Sequence, residues 1–292
     1  MKSIPKGGPA PPEVLFHYTN DAGLLGILAS QTIWATDFRF LNDTTEVTYA
    51  RELLESAVVQ QTRRARSARV RDGLMRLHRN LDMIADPGLY VSCLCTDGDL
   101  LSQWRGYAPN RGYSIGFATH EWTVQNDGPA AFPTRLAQVI YDPNQQSREI
   151  DLVVRRIIRA IRRVPAGGGA AIDIAIGHAI LNHVVDIAGL LIRLKHPKFA
   201  EEREWRVIAL AGHAAAADIS YRPSAVGLIP FVALSLKDQL GAMAGKLPVA
   251  GVTHGPSMHP ATTARGLRGF LDKFGYASAT ATPSEIPYRG AQ

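Results

Sequence analysis

The chain has 292 residues, of which 46% are hydrophobic, 20% charged and 8% aromatic, a globular composition that excludes wholesale disorder, collagen-like repeats and coiled-coil arrays. Lys and Arg number 32 against 26 Asp and Glu, a net charge of +6, and this mild basic excess suits a nucleic-acid, phosphate or nucleotide partner without singling one out. The two cysteines, Cys93 and Cys95, would share one face of a strand, too close in sequence for an unstrained bridge, so a disulfide scaffold is excluded and a reducing cytoplasmic setting is expected.

Residues 1–12 are Pro- and Gly-rich and read as a flexible tail without the apolar core of a secretory signal. Residues 14–18 predict a strand, 21–30 a short helix capped by Asn20 or Asp21, and 32–36 a second strand. Asn42, Asp43 and Glu46 read as a turn and cap opening a helical region over 46–84, in one helix or two. Leu74, Leu77, Leu81 and Ile84 form its apolar stripe, and Asp86-Pro87-Gly88 stops it. Residues 89–95 and 112–118 predict strands, separated by a loop over 97–107 and a turn at 109–112. A strand over 136–141 leads to an amphipathic helix carrying Ile150, Val153, Val154, Ile157, Ile158 and Ile161.

The apolar stretch 170–194 holds Asp173, His178, Asn182, His183 and Asp186, too many polar groups for a membrane span, so it predicts one buried core helix and no membrane partner. Strands are expected at 203–210, 219–222, 226–234 and 247–253, a helix at 262–274, and an extended end at 284–289. There is no internal repeat. The glycines at 167–169 are the one linker-like run, but strands lie on both sides of it. The expectation is a single α+β domain over 13–292, with a mostly antiparallel sheet and helical insertions around 46–84 and 150–194.

No phosphate loop, nucleophile elbow, HExxH or CxxC motif is present, and Cys93-x-Cys95 with scattered histidines lacks zinc spacing, so no metal is expected. Three polar clusters remain. In His17-Tyr18-Thr19, alternation puts His17 and Thr19 on one strand face. They either hydrogen-bond ribose hydroxyls or an amide, or His17 closes a core hydrogen bond. In Glu202-Arg203-Glu204-Trp205-Arg206, an extended chain stacks Glu202, Glu204 and Arg206 on one face. That face is either a site that needs its carboxylates or a solvated ion network. In the 102–107 segment, Trp104, Arg105 and Tyr107 either stack a base and clamp a diphosphate, or anchor the loop. Two Arg-rich faces, seven arginines over 63–79 and five over 155–163, read as a phosphate-backbone footprint or as solvated helix surface.

Taken together and in order, these segments resemble the bacterial family known as domain of unknown function 2971. The matching pieces are Leu15-Phe16-His17-Tyr18-Thr19 with Leu24-Leu25-Gly26-Ile27-Leu28, Ile33-Trp34-Ala35-Thr36, Leu41-Asn42-Asp43-Thr44-Thr45-Glu46 and Val91-Ser92-Cys93-Leu94-Cys95. They continue with 99–107, 113–117, Lys195-His196-Pro197-Lys198-Phe199, 202–206 and 284–289. The family often has an aromatic residue where Cys93 or Leu94 stands here.

The layout looks like the ADP-ribosyltransferase fold, which implies a split, mostly antiparallel sheet and NAD as a consumed substrate. On that resemblance His17, Glu202 and Glu204 are the catalytic candidates. His17, Tyr18, Thr19, Ser92, Trp104, Arg105 and Tyr107 are the NAD-binding ones. The acceptor would be a protein or nucleic acid, or water in an NAD glycohydrolase, and the biological role a bacterial defence or toxin-type effector. The rival expectations are a non-catalytic nucleic-acid or nucleotide-binding module using the Arg-rich helices, and a metal-dependent nuclease built on Glu202, Glu204 and His17.

Overall fold

The computed structural model describes residues 9–41, 45–81, 88–108, 112–125, 134–165, 167, 169–210, 219–224, 227–238, 246–257 and 259–287. The expectations placed on Asn42, Asp43, Ile84, Asp86, Pro87, residues 109–111, and the chain ends at 1–8 and 288–289 lie outside these residues.

The first unit is strand, helix, strand: β1 (Val14–Thr19), α1 (Asp21–Ser30) and β2 (Ile33–Asp37). Asn20 caps α1 by accepting from the Gly23 amide at 2.9 Å. Gly26 lies where a Cβ would strike the Trp34 ring, so a glycine there lets α1 sit directly on β2. After β2 come the helices α2 (Thr45–Arg64) and α3 (Ala68–Arg79), then β3 (Leu89–Cys95).

The segment expected to be a loop is in part a helix, α4 (Leu101–Tyr107). Trp104 is the reason. Its buried ring meets Tyr18 edge-on at 4.7 Å, its Nε1 donates to Asp99 Oδ1 at 2.7 Å, and its amide closes a turn on Leu100.

The chain continues through β4 (Tyr113–Ala118), β5 (Trp122–Gln125) and β6 (Thr134–Gln138) to α5 (Pro143–Arg162), which Asp142 caps and Pro143 opens. The single core helix expected over 170–194 is broken into α6 (Ala170–Leu181) and α7 (Val184–Leu191). At the break the His183 amide bonds Ile180 in a tight turn, and the His183 ring bonds Asp186 at 2.9 Å. Polar residues at the junction thus find local partners instead of continuing one helix. Only α7 is well buried; Ile174 and Leu181 of α6 are exposed. Among the described residues no single helix is long and apolar enough to cross a membrane.

The remaining elements are β7 (Glu204–Leu210), β8 (Ile219–Ser224), β9 (Gly227–Asp238), β10 (Val249–His254), α8 (Pro260–Lys273) and β11 (Thr280–Pro283). The segment after β11, expected to be extended, is held by Asp99, which accepts from Ser284 Oγ and the Glu285 amide.

The structure is a mixed α+β arrangement with one mostly antiparallel sheet, in the order β11-β10-β4-β1-β3-β2-β9-β5; β7 and β6 extend from β3, and β8 lies on β9. The parallel pair is β10 with β11. One core lies under α1 and α8 and contains Leu15, Ile33, Leu94, Ile115 and Trp205. The other is helical, joining α2, α3, α5, α6 and α7 through residues such as Leu54, Leu77, Ile157 and Ile187.

The feature that matters for function is the edge of β3. β7 pairs with it along its whole length. On the opposite edge, β2 takes only Tyr90 and Val91, and β1 takes only Cys95. Between these contacts the two halves of the sheet diverge.

Ile157 is fully buried at the centre of the helical core. Ile157→Ala is expected to lower unfolding free energy by about 2–5 kcal/mol, measured as a fall in the urea midpoint at constant m-value.

Candidate functional site

A cavity of about 590 Å³ opens where the sheet divides. Register explains its composition, because partners across an antiparallel pair share a face. Phe16 pairs with Cys95, Cys95 with Glu204, and Cys93 with Arg206, so those five residues lie on one face. His17 pairs with Ile115 and points, with Leu15 and Thr19, to the other. Both His17 and Glu204 nevertheless line the same cavity, which reaches both faces through the gap.

His17 occupies the gap. Its Nδ1 lies 2.9 Å from the Cys93 carbonyl, which can only accept, so Nδ1 carries the proton and Nε2 is left as an acceptor. Burial lowers the imidazole pKa against the opposing Cys93 hydrogen bond, and Arg222 lowers it further. His17 is therefore neutral at pH 7.

The acidic end is a five-membered ion cluster. Lys195 Nζ meets Glu46 at 2.7 Å, Glu202 at 2.5 Å and Glu204 at 3.1 Å. Arg206 grips both Glu204 oxygens, at 2.7 and 2.9 Å, reaches Glu46 at 2.6 Å, and donates to the Ile192 carbonyl. Burial would push the Glu204 carboxyl up, but Arg206 and Lys195 outweigh it and hold the carboxyl down at about 2. Burial would lower Lys195, but Glu204 and Glu46 carry it above its usual value. Glu202 behaves differently. Burial raises it, Lys195 opposes, and the neighbouring Glu204 and Glu46 raise it again. Three carboxylates against two cations give the cluster a formal charge of one negative in excess.

Three chain features build this cluster. Glu46 comes from the first turn of α2. Lys195 follows α7 on a segment fixed by its amide to the Ile140 carbonyl and by Gln146, which donates to the Ile140 and Lys195 carbonyls. Glu202 ends a 3-10 turn (Pro197–Glu202), after which Arg203 takes a left-handed φ of 43°. Glu202 is therefore not in the strand with Glu204, contrary to the extended reading, yet both carboxylates meet on Lys195. Glu204 and Arg206 do share a face, with Trp205 and Val207 in the core behind them.

The other expected residues are dispersed. Tyr18, Thr19, Ser92 and Tyr107 line the cavity. Ser92 Oγ is buried without a hydrogen-bond partner, and burial, with Cys93 and Glu204 nearby, raises the Tyr107 phenol. Trp104 is a core anchor, and Arg105 is exposed; neither is in the cavity wall. Of the Arg-rich faces, Arg69 and Arg71 donate to backbone carbonyls and Arg76 pairs with Asp173 at 2.5 Å, so part of that charge is spent on helix packing. Among the described residues no group of three or more His, Cys, Asp or Glu is arranged to hold a metal ion; the three clustered carboxylates converge on an ammonium.

Sequence reasoning missed Glu46 and Lys195 as site residues, and also Trp34, Thr36 and Arg222. Lys195 and Glu46 both stand in segments that carry the family resemblance, but nothing local to either marks it as a site residue.

Residues 103–207 match the sequence model of a family described as "Protein of unknown function (DUF2971)". No curated protein and no solved structure matches the chain. The matched span covers Tyr107, Lys195, Glu202, Glu204 and Arg206, while His17, Thr36 and Arg222 lie outside it.

Removing Arg206 leaves three clustered carboxylates on the single cation Lys195. Arg206→Met is expected to cost about 3–5 kcal/mol, and adding Glu204→Gln to recover part of it, measured by urea denaturation in a double-mutant cycle. Glu204 stays ionised below its ordinary value of 4.5. Its stabilisation, about 3 kcal/mol, is therefore complete above that pH and fades as pH falls toward 2. Glu204→Gln should flatten stability across that window.

Proposed function

We propose that the protein consumes NAD, as an ADP-ribosyltransferase-type enzyme or an NAD glycohydrolase. The observation that carries this reading is the meeting of first-strand His17 and Thr19 with Glu202 and Glu204 around one cavity, at a gap between two half-sheets. Its volume lies within the range of small-molecule sites.

Cleavage breaks the bond between the ribose anomeric carbon and the nicotinamide nitrogen. The electron pair leaves with neutral nicotinamide, and positive charge grows on the sugar as an oxocarbenium-like state. The ion cluster, with its excess negative charge and ionised Glu204, favours that charge in a partly dehydrated wall. Glu204 acts as a fixed charge rather than a proton carrier, because Arg206 holds both its oxygens. Glu202 is the proton carrier. Its single ion-pair contact among the described residues is through Oε2, to Lys195, and its raised carboxyl suits a base that takes the proton of an attacking water or acceptor hydroxyl. His17 Nε2 accepts from a sugar hydroxyl or amide, and the Tyr107 phenol, kept protonated, donates.

A second reading, a non-catalytic nucleotide-binding module, is favoured by the saturation of Glu204. The two readings separate on turnover.

Protein incubated with NAD labelled in the nicotinamide ring is expected to release free nicotinamide. Glu202→Gln should slow release by about 10²–10⁴-fold with its circular dichroism unchanged. The acid limb of the wild-type pH–rate profile should sit above the ordinary carboxylate range. Binding without release supports the module, and release indifferent to Glu202→Gln removes the mechanism.

A further inference from the structure

We infer that Arg222 forms a phosphate-binding end of the cavity, opposite in charge to the Glu202–Glu204 end, and that with Trp34 it selects a nucleoside phosphate. The inference rests on the cavity being a ligand site, as the proposed function does, but not on any bond being cleaved there.

Arg222 lies on β8 and pairs with Ile229 of β9. It lines the cavity with Pro223, and its Nη2 donates to Thr36 Oγ1 at 3.0 Å. Its Nε is buried without a hydrogen-bond partner. Among the described residues no carboxylate forms an ion pair with it, whereas the two other cavity cations, Lys195 and Arg206, share three. Burial lowers the Arg222 pKa with no carboxylate opposing it. A guanidinium does not lose its proton, so this site keeps a positive charge that no carboxylate among the described residues compensates. An anion from solution completes it.

The chemistry around Arg222 narrows the anion. A guanidinium presents parallel N–H groups that match two oxygens of a phosphate or carboxylate. The Thr36 hydroxyl sits at its edge, and neutral His17 is near enough for Arg222 to depress it. Two residues before Thr36, on the same face of β2, Trp34 also lines the cavity, its ring 4.8 Å from that of Phe231. Alternate residues on a strand are roughly 7 Å apart. A planar ring on Trp34 therefore lies about a sugar's length from an anion on Arg222, which favours a phosphate ester of a nucleoside over a small carboxylate. Arg222, not Arg105, is then the diphosphate contact.

The test compares binding of ADP, adenosine and inorganic diphosphate to the full chain by calorimetry at low and moderate salt. ADP should bind at least about tenfold more tightly than adenosine, with the difference shrinking as salt rises, and diphosphate alone should compete with ADP. Arg222→Gln should abolish the ADP preference while leaving adenosine affinity within about twofold. Arg222→Lys should restore part of it, and Arg155→Gln, on an exposed helix face, should leave the ADP preference of the native chain unchanged. Should Arg222→Gln fold poorly, the wild-type comparison of ADP with adenosine decides. Equal binding of the two, no binding of either, or an ADP preference that survives in folded Arg222→Gln overturns the inference. ADP held through Arg222 without nicotinamide release from NAD overturns the catalytic reading alone; release whose KM ignores Arg222→Gln overturns this inference alone.

Discussion

β3 has a full-length neighbour in β7 along one edge, while its other edge is divided between β2 at Tyr90 and Val91 and β1 at Cys95. Residues 92–94 face a gap on that side. An open stretch of strand edge inside a protein must find other partners for its polar groups. Here the His17 ring takes the Cys93 carbonyl in place of a ladder bond. This division is what gives the molecule a cavity, because two half-sheets sharing one strand edge cannot close on each other. α1 spans the half-sheets from β1 to β2, and Gly26 keeps it close enough to pack on Trp34. The same geometry lets residues of opposite strand parity, His17 and Glu204, contribute to one wall.

Against that opening, the ion cluster is the rigid part. Five charged side chains cost much desolvation, and their attraction compensates only when each is well bonded. Arg206 meets that condition fully: a bidentate carboxylate, a second carboxylate and a carbonyl. Lys195 meets it with three carboxylates. The Cys93 thiol, which burial and the neighbouring Glu204 keep protonated, lies beside the cluster. The cluster joins α2, the segment after α7, and β7, so it ties the helical layer to the sheet. Its least committed member is Glu202, the one that follows a turn instead of sitting in a strand. On the proposed mechanism, rigidity and reactivity are thereby divided between two acids two residues apart.

Local patterns made most of the elements legible. The Asn20 cap, the stripe along α5, and alternation in β1, β3 and β7 follow from short-range chemistry and periodicity, and they appear as read. The alternation of β7 also put Trp205 on the core side and Glu204 with Arg206 on the other. What the sequence did not disclose depends on pairing at a distance. Nothing near Glu46 tells a helix-opening acid from one that reaches Lys195 and Arg206 across 149 and 160 positions. Arg222 stands alone in an edge strand with no motif around it. At Trp104 the anchoring alternative holds: adjacency in sequence left a stacking clamp and a core anchor equally open, and the helix turns the Trp104 ring into the core while Arg105 is exposed.

The two ends of the cavity then constrain each other. Lys195 and Arg206 are consumed by three carboxylates, so the cluster carries one formal negative charge in excess, and Arg222 carries one positive charge with no carboxylate paired to it among the described residues. The six groups sum to zero, yet they are not arranged as three pairs. A protein that needed only neutrality would place the third carboxylate beside Arg222. Keeping it instead on Lys195 maintains a field along the cavity, negative toward the Glu202 side and positive toward β8. On the proposed function, such a field would orient a ligand that bears its negative charge at one end and develops positive charge at the other. A dinucleotide whose phosphates rest on Arg222 while its sugar faces the acids has that polarity, and an uncharged sugar or a simple polyanion does not.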